Sequence, residues 1–203
     1  MSLREAHRYI KELHRKQENP YLWPDFLTGL PDRQGILKKL DSVYPKLGQY
    51  GVACVRIASI HPYLLKYGYD HHAEIIQWAA AILKTVSSEY RGSFVGTAGT
   101  HEFVLIARSS HIFEILKKAN SLFKKKTRNY YSEGDIKRGY VISFQSNEGE
   151  TVRVGFMRLV AAVVTRPVDV EKIDLVPFLS RICNLAEGEG KDIEEFSEET
   201  SLK

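Results

Sequence analysis

The sequence has few cysteines and no long apolar run. Its two cysteines, Cys54 and Cys183, lack the C-x-x-C spacing of zinc and redox motifs. Two such isolated thiols are typical of a reduced, cytoplasmic chain rather than of a disulfide-stabilised secreted one. No apolar run approaches the roughly 20 residues that cross a bilayer, and the N-terminus has no signal-peptide core. The sequence therefore predicts a soluble, cytoplasmic protein with no membrane segment.

The chain also lacks a strong charge of either sign. Its 203 residues carry a formal net charge of +4, and 43% of them are hydrophobic, which suits one well-packed core. Part of the basic excess clusters at the end of one predicted helix, at Lys117, Lys118, Lys124, Lys125, Lys126 and Arg128. Helix C-termini favour cations, so we expect a solvated helix face there. A nucleic-acid surface that adds Tyr130 and Tyr131 is the disfavoured alternative.

Apolar periodicity predicts alternating helices and strands. The predicted helices cover residues 3–17, 34–47, 72–89, 111–126 and 174–187. The predicted strands cover 51–57, 93–98, 102–107, 139–144, 151–156 and 159–165, with hairpin turns at 99–100 and 147–149. This order indicates an α/β fold with a central mixed sheet flanked by helices. The acidic tail that starts at Asp192 is expected to be loose.

The first predicted helix has a narrow apolar stripe. Its members, Leu3, Ala6, Ile10 and Leu13, are spaced like a coiled-coil seam. The stripe is only about two heptads long, which is marginal for an isolated helix. Two interpretations remain open: an amphipathic helix that packs on its own domain, or the last turns of a signalling helix that pairs with a second copy.

Four motifs occur in order along the chain. DFLTGLPDR at 25–33 supplies Asp25, Leu27, Thr28, Gly29, Leu30, Pro31 and Arg33. Tyr67-Gly68 then precedes a helix, AGTHEF at 98–103 contains Gly99, Glu102 and Phe103, and AEGEGKD occupies 186–192. They resemble the DxLTGLPNR, YGHxxGDxxL, GG(D/E)EF and AKxxGRN motifs of GGDEF domains, the fold of bacterial diguanylate cyclases.

The resemblance covers roughly residues 20–192 and implies a ferredoxin-like, palm-type core. Residues 1–19 then form an N-terminal helix or stalk, and residues 193–203 an acidic tail. The segment 139–154 resembles a longer hairpin found in some branches of the family. In active members, two domains meet face to face, each holding one GTP, and two metal ions assist the formation of cyclic di-GMP.

The resemblance fails at the residues that the cyclisation needs. Phosphoryl transfer of this kind requires carboxylates to hold divalent cations. The family's two acids on the first strand correspond to Arg56 and Ala58, and its metal-binding acid in the hairpin to His101, beside a retained Glu102. No Asp or Glu occurs from residue 51 to 66. A guanidinium stays protonated, so we expect no metal at this site and hypothesise an ion pair between Arg56 and Glu102.

The nucleotide contacts of the family are absent as well. Its guanine-reading Asn and Asp correspond to Leu64 and Ala73. The phosphate-contacting Lys of the last motif is replaced by Glu187, although Lys191 keeps the charge of the Arg. The product-inhibition motif RxxD corresponds to Tyr-Arg-Gly-Ser at 90–93.

The hairpin also contains a candidate ligand for a different kind of metal. His101 could ligate a transition metal together with His71, His72 or Asp70, but the sequence alone disfavours this.

Together these departures predict a catalytically inactive regulatory module of the cyclic di-GMP type, with no cofactor. Such a module acts through a protein partner or a homodimer, using the N-terminal helix and the domain surface. The alternative is a nucleotide-binding sensor for GTP or cyclic di-GMP, or a residual cyclase with an atypical site.

Overall fold

The computed structural model describes residues 3–16, 25–144 and 151–196. Its strands are β1 (Tyr50–Ala58), β2 (Phe94–Gly99), β3 (Glu102–Arg108), β4 (Val141–Phe144), β5 (Thr151–Val154), β6 (Arg158–Val164) and β7 (Ile193–Glu195). Its helices are α1 (Leu3–Lys16), α2 (Arg33–Val43), α3 (Ile60–Tyr67), α4 (His72–Ser88), α5 (Ser109–Thr127), α6 (Glu133–Arg138) and α7 (Leu175–Gly188). The predicted turn at 147–149 lies outside the described residues.

A five-stranded sheet organises the fold, with strand order β2-β3-β1-β6-β7. The first four strands pair antiparallel, and β7 joins β6 in parallel. Helix α4 connects β1 to the β2–β3 hairpin, and α5 leads from that hairpin towards β6, which is the β-α-β-β-α-β arrangement of ferredoxin-like folds. The predicted α/β fold with a central mixed sheet is confirmed.

Strand β1 is buried on both faces of this sheet. Ala53, Val55 and Ile57 pack with α4 and α5, whereas Cys54 and Ala58 pack with α2 and α7. Successive side chains of a strand point to opposite faces, so a strand covered on both sides has to be apolar almost throughout. The exception near its end is Arg56.

Helix α1 packs on its own domain. Ala6, Ile10 and Leu13 are buried, and the ring of His7 lies 5.8 Å from that of Trp78 on α4. The seam-like stripe therefore contacts the domain, as in the first of the two interpretations. A second copy could use this stripe only by displacing α1 from α4.

Three short elements were not predicted. Helices α3 and α6 span eight and six residues, too few to show a clear apolar period, and α3 carries Pro62 in its first turn, where proline is tolerated. The loose-tail prediction is wrong for residues 193–195, because the backbone N–H of Ala161 donates to the carbonyl of Asp192 and that of Phe196 donates to Val163.

Of the three strands predicted after residue 138, the first two, at 139–144 and 151–156, do not join the central sheet. They form a separate pair, β4–β5. This pair contacts α3, since the Ser143 hydroxyl donates to the Pro62 carbonyl at 2.8 Å. The insert is therefore anchored beside the helix that follows β1.

The DFLTGLPDR motif forms a turn that joins α2 to the sheet edge. The Asp25 carboxylate accepts hydrogen bonds from the backbone N–H and the hydroxyl of Thr28, at 2.6 and 2.5 Å. Gly29 adopts φ 67°, a conformation that favours glycine. The Pro31 carbonyl then accepts the N–H of Thr97 on β2 at 2.8 Å. The motif thus has a structural role in this chain.

Gly96 on β2 permits this close approach because it has no Cβ. A Cβ at Gly96 would lie 2.5 Å from Cγ1 of Ile36 and 3.0 Å from the Pro31 carbonyl oxygen. We expect Gly96→Ala to lower the free energy of unfolding by about 1–3 kcal/mol, measured by urea denaturation. The matched control is Gly188→Ala at the end of α7, where a Cβ meets nothing within 4 Å. A loss of similar size in both variants would contradict the packing argument.

Candidate functional site

An ion pair lies at the end of the central strands, where the family's metal site would be. Arg56 and Glu102 are directly opposite each other in the β1–β3 ladder. Nη2 of Arg56 lies 2.9 Å from Oε1 of Glu102, and the Ser180 hydroxyl of α7 donates to the same oxygen at 2.8 Å. The two charged side chains are 26% and 19% exposed. The hypothesised ion pair is confirmed.

The fold family implies Mg²⁺ here, and the residues present do not fit it. Mg²⁺ requires oxygen ligands in near-octahedral geometry. Ala58 is buried and offers no ligand atom in its side chain, and the Glu102 carboxylate is bound by Arg56 and Ser180. His101 supplies an imidazole instead of a carboxylate.

A pair of histidines lies beside the β2–β3 hairpin. Nε2 of His101 is 2.7 Å from Nε2 of His72, the first residue of α4. His71 instead contacts Glu74, at 3.2 Å. Of the disfavoured candidate donors for a transition metal, the structure brings together His72 and His101. Across residues 3–16, 25–144 and 151–196, no three His, Cys, Asp or Glu side chains form a candidate metal cluster.

The electrostatics of His101 follow from this environment. Burial lowers the pKa of His101 below its usual 6.5, and the electrostatic effects of His72 and Arg56 lower it further. Glu102 acts in the opposite direction. The imidazole of His101 is therefore held in its neutral form at neutral pH.

The ion pair and the histidine pair lie on different faces of the sheet. Arg56 alternates with Val55 and Ile57, so it lies on the face that α2 and α7 cover, next to Ser180. His101 contacts the start of α4, on the other side. The site positions predicted from the sequence therefore do not form one shared pocket.

A carboxylate occupies the turn after β1, where the family has its phosphate-binding turn. Ser59 has φ 57°, the one positive value among the described residues other than glycine. Its backbone N–H donates to Oε1 of Glu187 at 3.0 Å. The negative charge of Glu187 lies near the N-terminus of α3, which favours anions.

The remaining nucleotide positions are apolar or already paired. Leu64 is 4% exposed and belongs to the core, and Ala73 is exposed. The ammonium of Lys191 lies 2.8 Å from Glu189 and 2.9 Å from Glu194. Hydrogen bonds to these two carboxylates raise the pKa of Lys191 to about 12. Its charge is therefore compensated by its neighbours.

Three of the six residues in the basic cluster at the end of α5 have a partner. Lys118 contacts Glu89 at 2.6 Å, and Lys124 contacts Asp192 at 2.7 Å. Lys126 lies 4.5 Å from the centre of the Trp78 ring. These contacts agree with a solvated helix face more than with a surface for nucleic acid.

Sequence reasoning missed the contribution of α7 to the site. Ser180 and Glu187 both contact residues at the ends of the central strands, and between them Cys183 donates from its thiol to the Cys54 carbonyl at 3.1 Å. The spacing 180, 183 and 187 places all three on one helix face. That periodicity of polar and small residues was the signal that could have identified them.

The fold of this chain is similar to that of solved protein structures. No model of a known protein family matches the chain, and neither does any curated protein. The structure resembles the GGDEF domain of DgcB from Caulobacter crescentus, solved in complex with c-di-GMP, with a TM-score of 0.56 and 13% identity over 84% of this chain and 91% of that one. The chain has the fold of a GGDEF domain; identity at this level shows the fold alone.

Two further solved structures are similar. Diguanylate cyclase SiaD from Pseudomonas aeruginosa, in complex with its activator SiaC, matches with a TM-score of 0.61 and 15% identity over 94% of this chain and 67% of that one. The S helix-GGDEF-EAL structure of LapD from Vibrio cholerae, bound to c-di-GMP, matches with a TM-score of 0.59 and 16% identity over 93% and 39%. Among the described residues, no helix is long and apolar enough to cross a membrane.

The ion pair leads to a double-mutant prediction. Because both side chains of the Arg56–Glu102 pair are largely buried, we expect Arg56→Met and Glu102→Gln to couple by about 1 kcal/mol in the free energy of unfolding, measured by urea denaturation. The matched control is the pair of Lys172 and Asp41, which are 41% and 60% exposed. Its cycle with Lys172→Met and Asp41→Asn should give a coupling near zero. Equal coupling in the two cycles would contradict a stabilising role for the inner pair.

The lowered pKa of His101 predicts a pH dependence of stability. As the pH falls below 6.5, the unfolded chain takes up a proton at this histidine while the folded chain resists it. The free energy of unfolding should therefore decrease from pH 6.5 down to the lower pKa of the folded state. His101→Gln should flatten that part of the profile, measured by chemical denaturation at a series of pH values. An unchanged slope in the variant would show that other groups cause the effect.

Proposed function

We propose that the chain is a catalytically inactive GGDEF-fold module of cyclic di-GMP signalling, which acts through contacts with other proteins. The observation that carries this proposal is the ion pair between Arg56 and Glu102. It occupies the end of the central strands with charges that satisfy each other. The Glu102 carboxylate is therefore not free for a catalytic metal ion.

The charge of Arg56 opposes the binding of a divalent ion at this position. Two unit positive charges 4 Å apart repel by about 4 kcal/mol at an effective dielectric constant near 20, and a divalent ion doubles that value. A Mg²⁺ ion beside Arg56 would meet this repulsion and would also compete with the guanidinium for Glu102. Catalysis of phosphoryl transfer depends on such ions to neutralise the developing charge, so the reaction loses its main support.

The residues at the expected nucleotide-binding positions support the same proposal. A site that reads a base needs hydrogen-bonding groups, and neither buried Leu64 nor Ala73 provides one in its side chain. The Glu187 carboxylate accepts the Ser59 N–H in the turn that would meet a phosphate. A triphosphate would have to displace this carboxylate and overcome its charge.

Protein contact is the activity that remains for such a module. SiaD was solved with its activator, and LapD as a chain that combines a GGDEF with an EAL domain. By analogy, we infer that the partner is an active cyclase or phosphodiesterase, or a second copy of this chain. Because the stripe of α1 is buried on α4, the contact uses the domain surface, or it releases α1.

Calorimetric titration tests this function against the alternative of a nucleotide sensor. With Mg²⁺ present, we expect no saturable heat from GTP or from cyclic di-GMP at high protein concentration, and no turnover of GTP. An active GGDEF domain titrated in parallel provides the positive control. Saturable binding of cyclic di-GMP would favour the sensor, which the c-di-GMP complexes of DgcB and LapD make the second candidate. Turnover of GTP would overturn the proposal.

A further inference from the structure

We propose that a cleft between α2 and α7 binds a small branched aliphatic carboxylate, a ligand with an apolar body and a single negative charge. The cleft has a volume of about 210 Å³, and Glu102 of the central ion pair forms part of its lining. It lies on the face of the sheet that α2 and α7 cover, away from the histidine pair. This inference goes beyond the proposed function, since it requires neither a protein partner nor a nucleotide.

Most of the cleft wall is apolar and comes from two facing segments, α2 and the start of α7. On each segment the lining residues are spaced three or four apart, which places them on one helix face. The apolar wall consists of Ile36, Leu37, Ala98, Ile173, Val176 and Pro177. Ile173 is 52% exposed, so an apolar ligand would cover surface that water now contacts. The burial of this surface would drive the binding of the apolar body.

The two segments run antiparallel across the cleft, which gives it an apolar end and a polar end. Lys172, before α7, pairs with Asp41 near the end of α2. Arg33, at the start of α2, therefore lies at the opposite end, together with Ser180 of α7. Ser180 donates to Glu102, which also lines the cleft. The charged groups of the lining are thus gathered at the end next to the central strands.

The charges at the polar end favour an anion. Arg33 and Arg56 contribute two positive charges and Glu102 one negative charge, which leaves a balance of +1. Oε1 of Glu102 is bound by Arg56 and by the Ser180 hydroxyl. Arg33 is exposed at the mouth of the cleft, and a guanidinium can bind a carboxylate with two parallel hydrogen bonds. The neighbouring Asp32 carboxylate is engaged in capping α2. A ligand with a charge of −1 therefore complements this end.

The volume limits the ligand to a few atoms. A cleft of about 210 Å³ has about seven times the volume that one water molecule occupies in the liquid. The six-carbon acid 4-methylpentanoate, with about eight non-hydrogen atoms, is of that size. Arg33 and Leu37 are about one helical turn apart, a distance of about 5.4 Å that this chain can bridge. Its carboxylate would then contact Arg33, and its branched end would contact Leu37 and Val176.

Calorimetric titration of the full chain with 4-methylpentanoate tests this site. We expect saturable binding of one molecule per chain, with a dissociation constant of about 1 mM or lower. Arg33→Met should weaken the binding at least about tenfold, because it removes the charge-assisted hydrogen bonds. The matched control is Lys38→Met, which removes an exposed cation from the same helix and should leave the affinity unchanged. Circular dichroism verifies that both variants are folded.

Three related compounds separate the contributions of charge and shape. 4-Methylpentanamide keeps the shape without the charge, and acetate keeps the charge without the apolar body. Each should bind at least about tenfold more weakly than 4-methylpentanoate, because each lacks one of the two contacts. Leucine has the same carbon skeleton with an added ammonium group. It should also bind more weakly, because its net charge of zero does not complement the site.

NMR of labelled methyl groups locates the ligand without a substitution. The signals of Leu37, Ile173 and Val176 should change on addition of 4-methylpentanoate more than those of other methyl groups. The proposal is overturned if 4-methylpentanoate does not bind, or if Arg33→Met binds it as well as the unchanged chain. It is also overturned if the amide or leucine binds equally well, or if the changed signals lie elsewhere. None of these outcomes bears on the titrations with GTP and cyclic di-GMP.

Discussion

The position of β1 at the centre of the sheet is the constraint on which the rest of the structure depends. Pairing with β3 on one side and β6 on the other buries the strand on both faces. A charged residue in such a strand requires a partner, because an unpaired charge away from water is costly. The register provides one by setting Glu102 opposite Arg56, and α7 adds the hydroxyl of Ser180. The site at the end of the sheet is built around that pair.

The surrounding charges are compensated in the same way. Glu187 accepts the N–H of Ser59, and Lys191 lies between two acidic neighbours. In a nucleotide-binding site, the N–H of Ser59 and the ammonium of Lys191 would be left open for phosphate. Their internal pairing agrees with the proposal of a module without a nucleotide site.

Motif comparison predicted the Arg56–Glu102 pair because each residue sits at a recognisable position of a recognisable strand. Apolar periodicity, in turn, predicted the long helices and strands. Helices α3 and α6 were missed because a few residues show no period, and β7 because two of its three residues are glutamates. Those glutamates suit the strand at the edge of the sheet, where charge discourages further pairing.

Local composition and order along the chain were sufficient to predict the α/β fold, and they are also the basis of the expectation that the carboxylates of GGDEF motifs are missing here. Both predictions depend on residue types at given positions. Three features could be known only from the folded chain: the packing of the α1 stripe on its own domain, the approach of His72 to His101, and the contact of Glu187 with Ser59. In the last of these contacts, 128 residues separate the two partners. Contacts of this kind depend on how helices and strands pack against one another, and no local pattern encodes that packing.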